Sequence, residues 1–189
     1  QRMGVMGDWE HPYATMNPGF EAEEVKVFGE MYKKGYIYKG FKPVYWCPHD
    51  ETALAEAEIE YQDDPCTTVY VKFPMHDDCG KLSQYDKSKL FFVIWTTTIW
   101  TLPGNLAIAL HPEESYAVVK APNGEMYIMA EALTEKVMKL GGFETYEILE
   151  THPGAFFENM LADHPFLPKT SRLLLADYVT MDSGTGCVH

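Results

Sequence analysis

The spacing of the apolar residues changes from a helical to a two-residue period near Lys42, and this change most constrains the fold. Before it, "NPGFEAEEVKVFGEMYKKGY" (residues 17–36) carries apolar side chains at helical spacing, with Pro18 at its start and Gly35 as a stop. We predict one helix in this segment. Four of its side chains should form a buried face: Val25, Phe28, Met31 and Tyr32.

After Lys42, short runs rich in Val, Ile, Tyr and Phe are typical of strands. Asn123-Gly124 predicts a hairpin turn, and residues 130–140 predict a short helix that ends at two glycines. Many short strands with few helices predict an α+β fold that is mainly β, with a barrel-like or sandwich-like sheet domain from about residue 49 onward. The runs are "KPVYWC", "CTTVYVKFP", "KLFFVIWT", "NLAIAL", "SYAVVKAPNGEMYIMA", "ETYEILE" and "SRLLLADYV".

The balance of charge limits the partners of the chain. Fifteen Lys and Arg residues stand against 28 Asp and Glu residues, a formal net charge of -13, so the surface repels phosphate backbones. This excludes autonomous, sequence-independent binding of nucleic acid and leaves open local contact with an RNA end that a larger protein delivers. No apolar run approaches the roughly 20 residues that span a bilayer, so we expect no membrane association. The chain begins at Gln1 and stops at His189, and we interpret it as a piece of a longer protein.

The cysteines and histidines do not form a recognisable metal site. Four cysteines are too few for a disulfide scaffold, so we expect a reducing, cytoplasmic compartment. The segment "CPHD" (residues 47–50) begins like a Cys-x-x-Cys knuckle but has Asp50 where the second thiolate belongs. The other candidates, Cys66, His76 and Cys79, match no compact zinc spacing, so we predict no metal.

A nucleophile is the next candidate. The chain lacks Gly-x-Ser-x-Gly, and Cys187 lies two residues from His189, so both side chains point to one face if this segment is a strand. The pair has the chemistry of a nucleophile and its base. A buried cysteine that packs as a small hydrophobe is the favoured interpretation.

The strongest functional signal is "FFVIWTTTIWTLPGN", residues 91–105. Thr96, Thr97 and Thr98 cannot all face one side of a strand, so either one hydroxyl lies on the opposite face or the strand breaks. Threonine is also favoured at strand ends for its β-propensity alone. The run is therefore either a polar strand end or a site where hydroxyls meet a substrate.

Four segments carry a resemblance to bacterial isoleucyl-tRNA synthetases. "IWTTTIWTLPGNLAIALHP" (94–112) is similar to their threonine-rich segment, which commonly reads Trp-Thr-Thr-Thr-Pro-Trp-Thr-Leu-Pro-Ala-Asn. "KPVYWCPHDETALAEAEIEY" (42–61) resembles their entry into an inserted editing domain, and "VTMDSGTGCVH" (179–189) resembles a segment that lines the editing pocket. "GVMGDWEHPYATM" (4–16) resembles the catalytic-domain stretch before the insertion. The motifs occur in the family's order along essentially the whole chain.

The resemblance implies a division of the chain and an activity. Residues 1–48 would be a helical segment of the catalytic domain, and 49–189 the inserted editing domain, truncated at its C-terminal end. In this family that domain hydrolyses the ester of valine wrongly attached to tRNA(Ile). The implied partners are the 3′ end of tRNA(Ile) and the rest of the parent synthetase. Editing implies no cofactor, whereas ATP and Mg would serve the parent enzyme.

The resemblance also implies roles for individual residues. Thr97 and Thr98 would hold a water, the scissile ester and the terminal ribose, with Thr96 in support. The wall that limits side-chain size would comprise Trp100, Thr101 and His189.

Two substitutions and one missing group set this chain apart from the family pattern. Ile99 stands where the family usually has Pro, and Gly104 where it has Ala. The family's Asp that receives the substrate ammonium group lies beyond the equivalent of His189, so we expect weak or no hydrolysis by the isolated piece. Two alternatives stay open: His189 as a general base, and a non-catalytic barrel module that docks an RNA end or a protein partner.

Overall fold

The computed structural model describes residues 2–189, which fall into two compact units. The first ends at Asp63 and the second is Asp64–His189. Regular structure in the first unit consists of helix α1 (Pro18–Lys33), a hairpin of β1 (Tyr45–Cys47) and β2 (Thr52–Leu54), and a 3₁₀ turn at Glu56–Glu58. The assignment of residues 1–48 to a catalytic domain and 49–189 to an editing domain stays a prediction.

Helix α1 has the predicted position and ends. Pro18 occupies the first turn, and Gly35 just beyond the helix has a φ of +75°, a conformation that glycine adopts without strain. The predicted burial of one face is wrong, because Val25, Phe28, Met31 and Tyr32 are all exposed. No residue from 2 to 63 is buried, since one helix and a two-stranded hairpin present too little surface to enclose a core.

The second unit is built on one mixed sheet of eight strands, in the order β5-β10-β9-β3-β4-β7-β6-β8. Two neighbouring pairs are parallel, β5 with β10 and β4 with β7, and the other pairs are antiparallel. The strands are β3 (Val69–Asp77), β4 (Leu90–Thr96), β5 (Ala107–Leu110), β6 (Ser115–Lys120), β7 (Met126–Ala130), β8 (Glu147–Pro153), β9 (Leu161–Asp163) and β10 (Thr170–Leu175).

The core of this unit lies along the central strands. All five residues of β7 and five of the seven in β4 are buried, which is the pattern of strands covered on both faces. Val137 and Met138 of helix α2 (Thr134–Leu140) pack into the same cluster. The largest side chains that are fully buried include Phe73, Phe92, Tyr116 and Phe157.

Two local predictions are confirmed. Strands β6 and β7 form an antiparallel hairpin, and Gly124 in its turn has a φ of +83°. Residues 131–140 are helical, with a 3₁₀ turn at Glu131–Leu133 before α2.

The fold class is also as predicted, α+β and mainly β. The sheet keeps two edge strands, β5 and β8, in the part of the chain that the structure describes. Across residues 2–189, neither helix combines the length and the apolar composition that crossing a bilayer requires.

Gly154 provides a test of the packing behind the sheet. A Cβ at this position would lie 1.9 Å from the carbonyl oxygen of His111 and 3.0 Å from the ring of Tyr116. We expect Gly154→Ala to lower the free energy of unfolding by roughly 3 kcal/mol through overpacking. Gly104→Ala is the matched control, because a Cβ there meets nothing within 4 Å. Chemical denaturation measures both, and equal stability of the two variants would contradict the packing described.

Candidate functional site

The threonine run begins where β4 ends. Thr96 is the last residue of β4 and is buried, and the chain leaves the strand at Thr98, where φ is -114° and ψ is 76°. The 3₁₀-helix Ile99–Gly104 follows at once. The strand therefore breaks within the run, and the three hydroxyls do not share one face.

A chain of hydroxyls crosses this break. The Thr96 Oγ1 accepts the Thr98 amide N–H at 3.1 Å and lies 3.2 Å from the Thr98 Oγ1. The Thr101 Oγ1 donates to the Thr98 carbonyl at 2.7 Å and lies 3.5 Å from the Thr98 Oγ1. The Thr101 Oγ1 is also 3.5 Å from the Nε2 of His189, the outer limit of a hydrogen bond. Four of the six predicted site residues thus stand in one row.

His189 reaches this row because its segment is attached to the sheet. Val188 and Ala109 of β5 exchange backbone hydrogen bonds of 2.7 and 3.0 Å. The hydroxyl of Tyr116 donates to the Gly186 carbonyl at 2.6 Å and accepts the His111 amide at 2.9 Å. Gly186 has a φ of +73°, and a Cβ there would lie 2.5 Å from that of Ala130, so only glycine fits.

The environment of His189 favours its neutral form. Burial lowers the pKa of His189 below its ordinary value of 6.5, and the nearby imidazole of His164 lowers it further. The single proton of the Thr101 hydroxyl is donated to the Thr98 carbonyl, so a neutral ring with its proton on Nε2 is the tautomer that pairs with the Thr101 Oγ1, which then accepts.

An open groove of about 540 Å³ lies beside the row. Thr101 and His189 stand at the groove, whereas Thr96, Thr97, Thr98 and Trp100 do not line it. Its walls are largely aliphatic, with Leu106, Ala107, Ala109, Leu174, Leu175, Ala176 and Val188 among the lining residues.

Two predicted residues stand apart from the hydroxyl row. Thr97 is exposed, and no side-chain hydrogen bond of Thr97 is found within residues 2–189. Trp100 is 74% exposed on the 3₁₀-helix, and Ile99 beside it is 48% exposed. The structure therefore places the side chains of Thr97 and Trp100 at the surface next to the row.

Sequence reasoning missed the residues that hold the 3₁₀-helix. Asn105 is buried, receives a hydrogen bond from the Ser171 hydroxyl and donates to the Ala107 carbonyl at 2.9 Å. His164 and Lys169, between β9 and β10, bond to carbonyls of the same turn. The sequence does not show which polar residues will be buried. The only signal for Asn105 is its position between the Pro-Gly turn and the strand-like run Leu-Ala-Ile.

The thiol of Cys187 is structural. Cys187 is 3% exposed, and burial raises its pKa to about 12, so the thiolate needed for a nucleophile is suppressed. Its Sγ faces the Ile128 carbonyl at 4.0 Å, whereas the Nε2 of His189 faces Thr101.

Three of the residues weighed as metal ligands contact other protein groups instead. The Cys47 Sγ contacts Asp50 at 3.3 Å, the Nδ1 of His76 lies 2.9 Å from Asp163, and the Cys79 Sγ lies 3.6 Å from the Asn159 carbonyl. Nowhere in residues 2–189 do three His, Cys, Asp or Glu side chains meet as a metal site would require.

Known structures share this fold. "The crystal structure of GlLeuRS-CP1" superposes with a TM-score of 0.55 at 18% identity, covering 65% of this chain and 53% of that one. The P. knowlesi cytosolic leucyl-tRNA synthetase editing domain gives 0.54 at 13% identity, covering 69% and 60%. At these identities the likeness concerns the fold alone.

Sequence relatives identify the family. Isoleucine--tRNA ligase of Caldanaerobacter subterraneus subsp. tengcongensis is 54% identical over 191 residues, and that of Bacillus licheniformis is 54% identical over 189. All of this chain is covered, but it spans only 20% of either relative. Residues 1–166 match the family tRNA synthetases class I (I, L, M and V). The chain therefore belongs to the class I tRNA synthetases of the I, L, M and V group, with bacterial isoleucine--tRNA ligases as relatives over its whole length.

Proposed function

We propose that residues 49–189 act as an editing domain that hydrolyses the ester between valine and tRNA(Ile). The observation that carries the proposal is the row of hydroxyls from Thr96 through Thr98 and Thr101 to His189, at the edge of a groove with aliphatic walls. The fold shared with leucyl editing domains and the isoleucyl relatives support it.

Such a domain meets a physical need. One methylene in a hydrophobic pocket is worth only about 1 to 3 kcal/mol, and isoleucine against valine in isoleucyl-tRNA synthetase is the standard example of that limit. A second site must therefore admit valine, reject isoleucine and hydrolyse what it admits.

The threonines suit the positioning of a water against an ester. A hydroxyl both donates and accepts, so the Thr98 Oγ1, between Thr96 and Thr101, can bridge a water and an ester oxygen. Thr97, whose side chain is exposed beside the row, is free to bind the ester or the ribose. An ester needs no covalent catalyst here, because holding the water in line supplies much of the rate through proximity.

We assign His189 to the wall that limits the size of the amino-acid side chain, together with Thr101 and Trp100. The half-buried ring of His189 borders the groove, and its neutral form presents an uncharged surface to an aliphatic side chain. A general base must also be neutral, so the lowered pKa of His189 does not distinguish a wall from a base. The experiments below distinguish the two roles.

The partners follow from the same proposal. The 3′ end of tRNA(Ile) is the substrate strand, and the rest of the parent synthetase delivers it, because a chain with a net charge of -13 attracts no RNA by itself. Hydrolysis by a positioned water requires no cofactor, while ATP and Mg serve synthesis in the parent enzyme. We place this activity in the cytoplasm.

Thr98→Arg tests the hydroxyl row. The guanidinium would fill the space beside Thr96 and Thr101 and displace the water, so deacylation of Val-tRNA(Ile) by the full-length parent synthetase should fall about 100-fold. Thr145→Arg, at an exposed position, is the control and should keep the wild-type rate. Unchanged deacylation by Thr98→Arg would remove the assignment and favour a docking module that is not catalytic.

His189→Ala tests the size limit. Removing the ring enlarges the site by more than one methylene, so correctly charged Ile-tRNA(Ile) should become a substrate for hydrolysis by the parent enzyme. His49→Ala changes an exposed histidine and should spare Ile-tRNA(Ile). If His189→Ala also spares it, His189 is not part of the size filter.

The pH profile of deacylation separates the wall from the base. A base would lose activity as the pH falls through the pKa of His189, which lies below 6.5, because the protonated ring accepts no proton. As a wall, His189 contributes no such limb, so the Val-tRNA(Ile) rates of wild type and His189→Ala should change in parallel from about pH 5.5 to 7.5. A limb that disappears in His189→Ala would establish the base.

A further inference from the structure

We infer that Lys169 and His164, on the connection between β9 and β10, are positioning residues for the candidate site. They hold the C-terminal end of the 3₁₀-helix Ile99–Gly104 and so set where its first half presents Thr98 and Thr101. The inference rests on the proposed function for its activity measurement, and a second measurement is independent of that function.

The end of this helix needs partners from elsewhere in the chain. The Leu102 carbonyl accepts the Asn105 amide at 3.0 Å, whereas the carbonyls that follow it lie beyond the last turn, and Pro103 supplies no amide donor. Side chains distant in sequence bond to three carbonyls here. The Leu102 carbonyl accepts from His164 at 2.8 Å, and Lys169 donates to the carbonyls of Pro103 at 2.7 Å and of Asn105 at 2.5 Å.

The hydrogen bonds of His164 fix its tautomer. Its Nδ1 accepts the amides of Phe166 at 3.3 Å and Leu167 at 3.1 Å, so its Nε2 carries the proton that is donated to Leu102. The imidazole is 5% exposed and packs edge-on against Phe73, with ring centres 5.7 Å apart. One end of the 3₁₀-helix is thereby connected to the core of the sheet.

The ammonium of Lys169 completes the attachment. A cation at the C-terminal end of a helix interacts favourably with the partial negative charge of the free carbonyls. The backbone of Lys169 is itself fixed, since its amide donates to Leu167 at 2.8 Å and its carbonyl accepts from His164 at 2.9 Å. The two side chains therefore act from one short and internally bonded connection.

The attachment matters because the contact of Thr101 with His189 is marginal. A 3₁₀-helix rises about 2 Å per residue, so Thr101, three residues before Gly104, stands about 6 Å from the held end, and a tilt of about 10° moves it by about 1 Å. The Thr101 Oγ1 is already 3.5 Å from the Nε2 of His189, and a further 1 Å separates them. Misplacement on that scale costs about 100-fold in rate when a reacting group is held for proximity.

Lys169→Met in the full-length parent synthetase tests the inference by activity. Methionine keeps the aliphatic stem and removes both donors, so kcat for Val-tRNA(Ile) deacylation should fall at least about 10-fold while KM changes less than about twofold. Lys169→Arg keeps a cation with several donors and should restore most of the rate. The matched control is Lys81→Met, because Lys81 also donates to a carbonyl, that of Phe156 at 2.6 Å, away from the site.

A second measurement follows the ring of His189 without any substrate. In the 189-residue chain, the imidazole resonances of His189 are titrated by NMR, with His189→Gln for assignment. A tilted helix exposes the ring, so Lys169→Met should raise the pKa of His189 toward its ordinary value, whereas Lys169→Arg and Lys81→Met should not. If Lys169→Met does not fold, Lys169→Gln, which replaces the ammonium by a shorter, uncharged amide, takes its place in both measurements.

The two measurements separate the inference from the proposed function. A wild-type parent that does not deacylate Val-tRNA(Ile) defeats the proposed function, and the NMR titration then decides the positioning role alone. A wild-type rate in Lys169→Met overturns the inference. So does a loss of rate that leaves the His189 titration unchanged and that Lys169→Arg does not rescue, because that pattern is a general loss of stability.

Discussion

The hydrogen bonds of the Tyr116 hydroxyl are the interaction on which the rest of the site depends. The ring is fully buried, and burial raises the pKa of its hydroxyl. The hydroxyl therefore keeps its proton and donates it in the hydrogen bond to the Gly186 carbonyl. This bond, with the pairing of Val188 and Ala109, attaches an irregular segment to the edge of the sheet. Without that attachment the row of threonines would have no imidazole at its end, because His189 belongs to no helix or strand.

The site is built from neutral groups within an acidic chain. The candidate site comprises the hydroxyls of Thr96, Thr98 and Thr101 and an imidazole whose pKa is lowered, and the ammonium of Lys169 is directed at backbone carbonyls. Neutral donors and acceptors suit an ester, which carries no charge before water adds to it. Under the proposed function, the attraction of a polyanionic tRNA would fall to other parts of a longer chain, since this chain covers a fifth of its relatives.

Local chemistry predicts much of this fold, and long-range contacts account for what it misses. Pro18 and Gly35 mark the ends of α1, and Asn123-Gly124 marks the β6–β7 turn, because each acts within a few residues. Periodicity does not reveal the parallel pairing of β4 with β7, since any apolar strand suits a central position in the sheet. Periodicity also overestimates burial in α1. An apolar helix face shows that burial would be favourable, but the sequence does not show which other element, if any, covers that face.

The candidate site shows the same division. The triple threonine signals that hydroxyls gather near residue 96, but where β4 breaks decides which of them form the row. Thr96 and Thr98 join Thr101, whereas Thr97 faces outward. The support from His164 is invisible in the sequence because a histidine that bonds to three backbone groups resembles any other histidine. The threonine run by itself indicates a site rich in hydroxyls, whereas the positions of those hydroxyls depend on the sheet and on where β4 ends.

The contact between Thr101 and His189 spans 88 positions of the chain, so the two residues are synthesised at different times. A ribosome that adds about 5–20 residues per second needs roughly 4–18 seconds to pass from one residue to the other. During that interval the threonines and the other residues of β4 have been synthesised while the imidazole has not. Contacts between distant residues also form late in folding, because closing a long loop costs entropy. His189, which we propose as part of the size-limiting wall, is therefore added after the residues of all eight strands of the sheet have been synthesised.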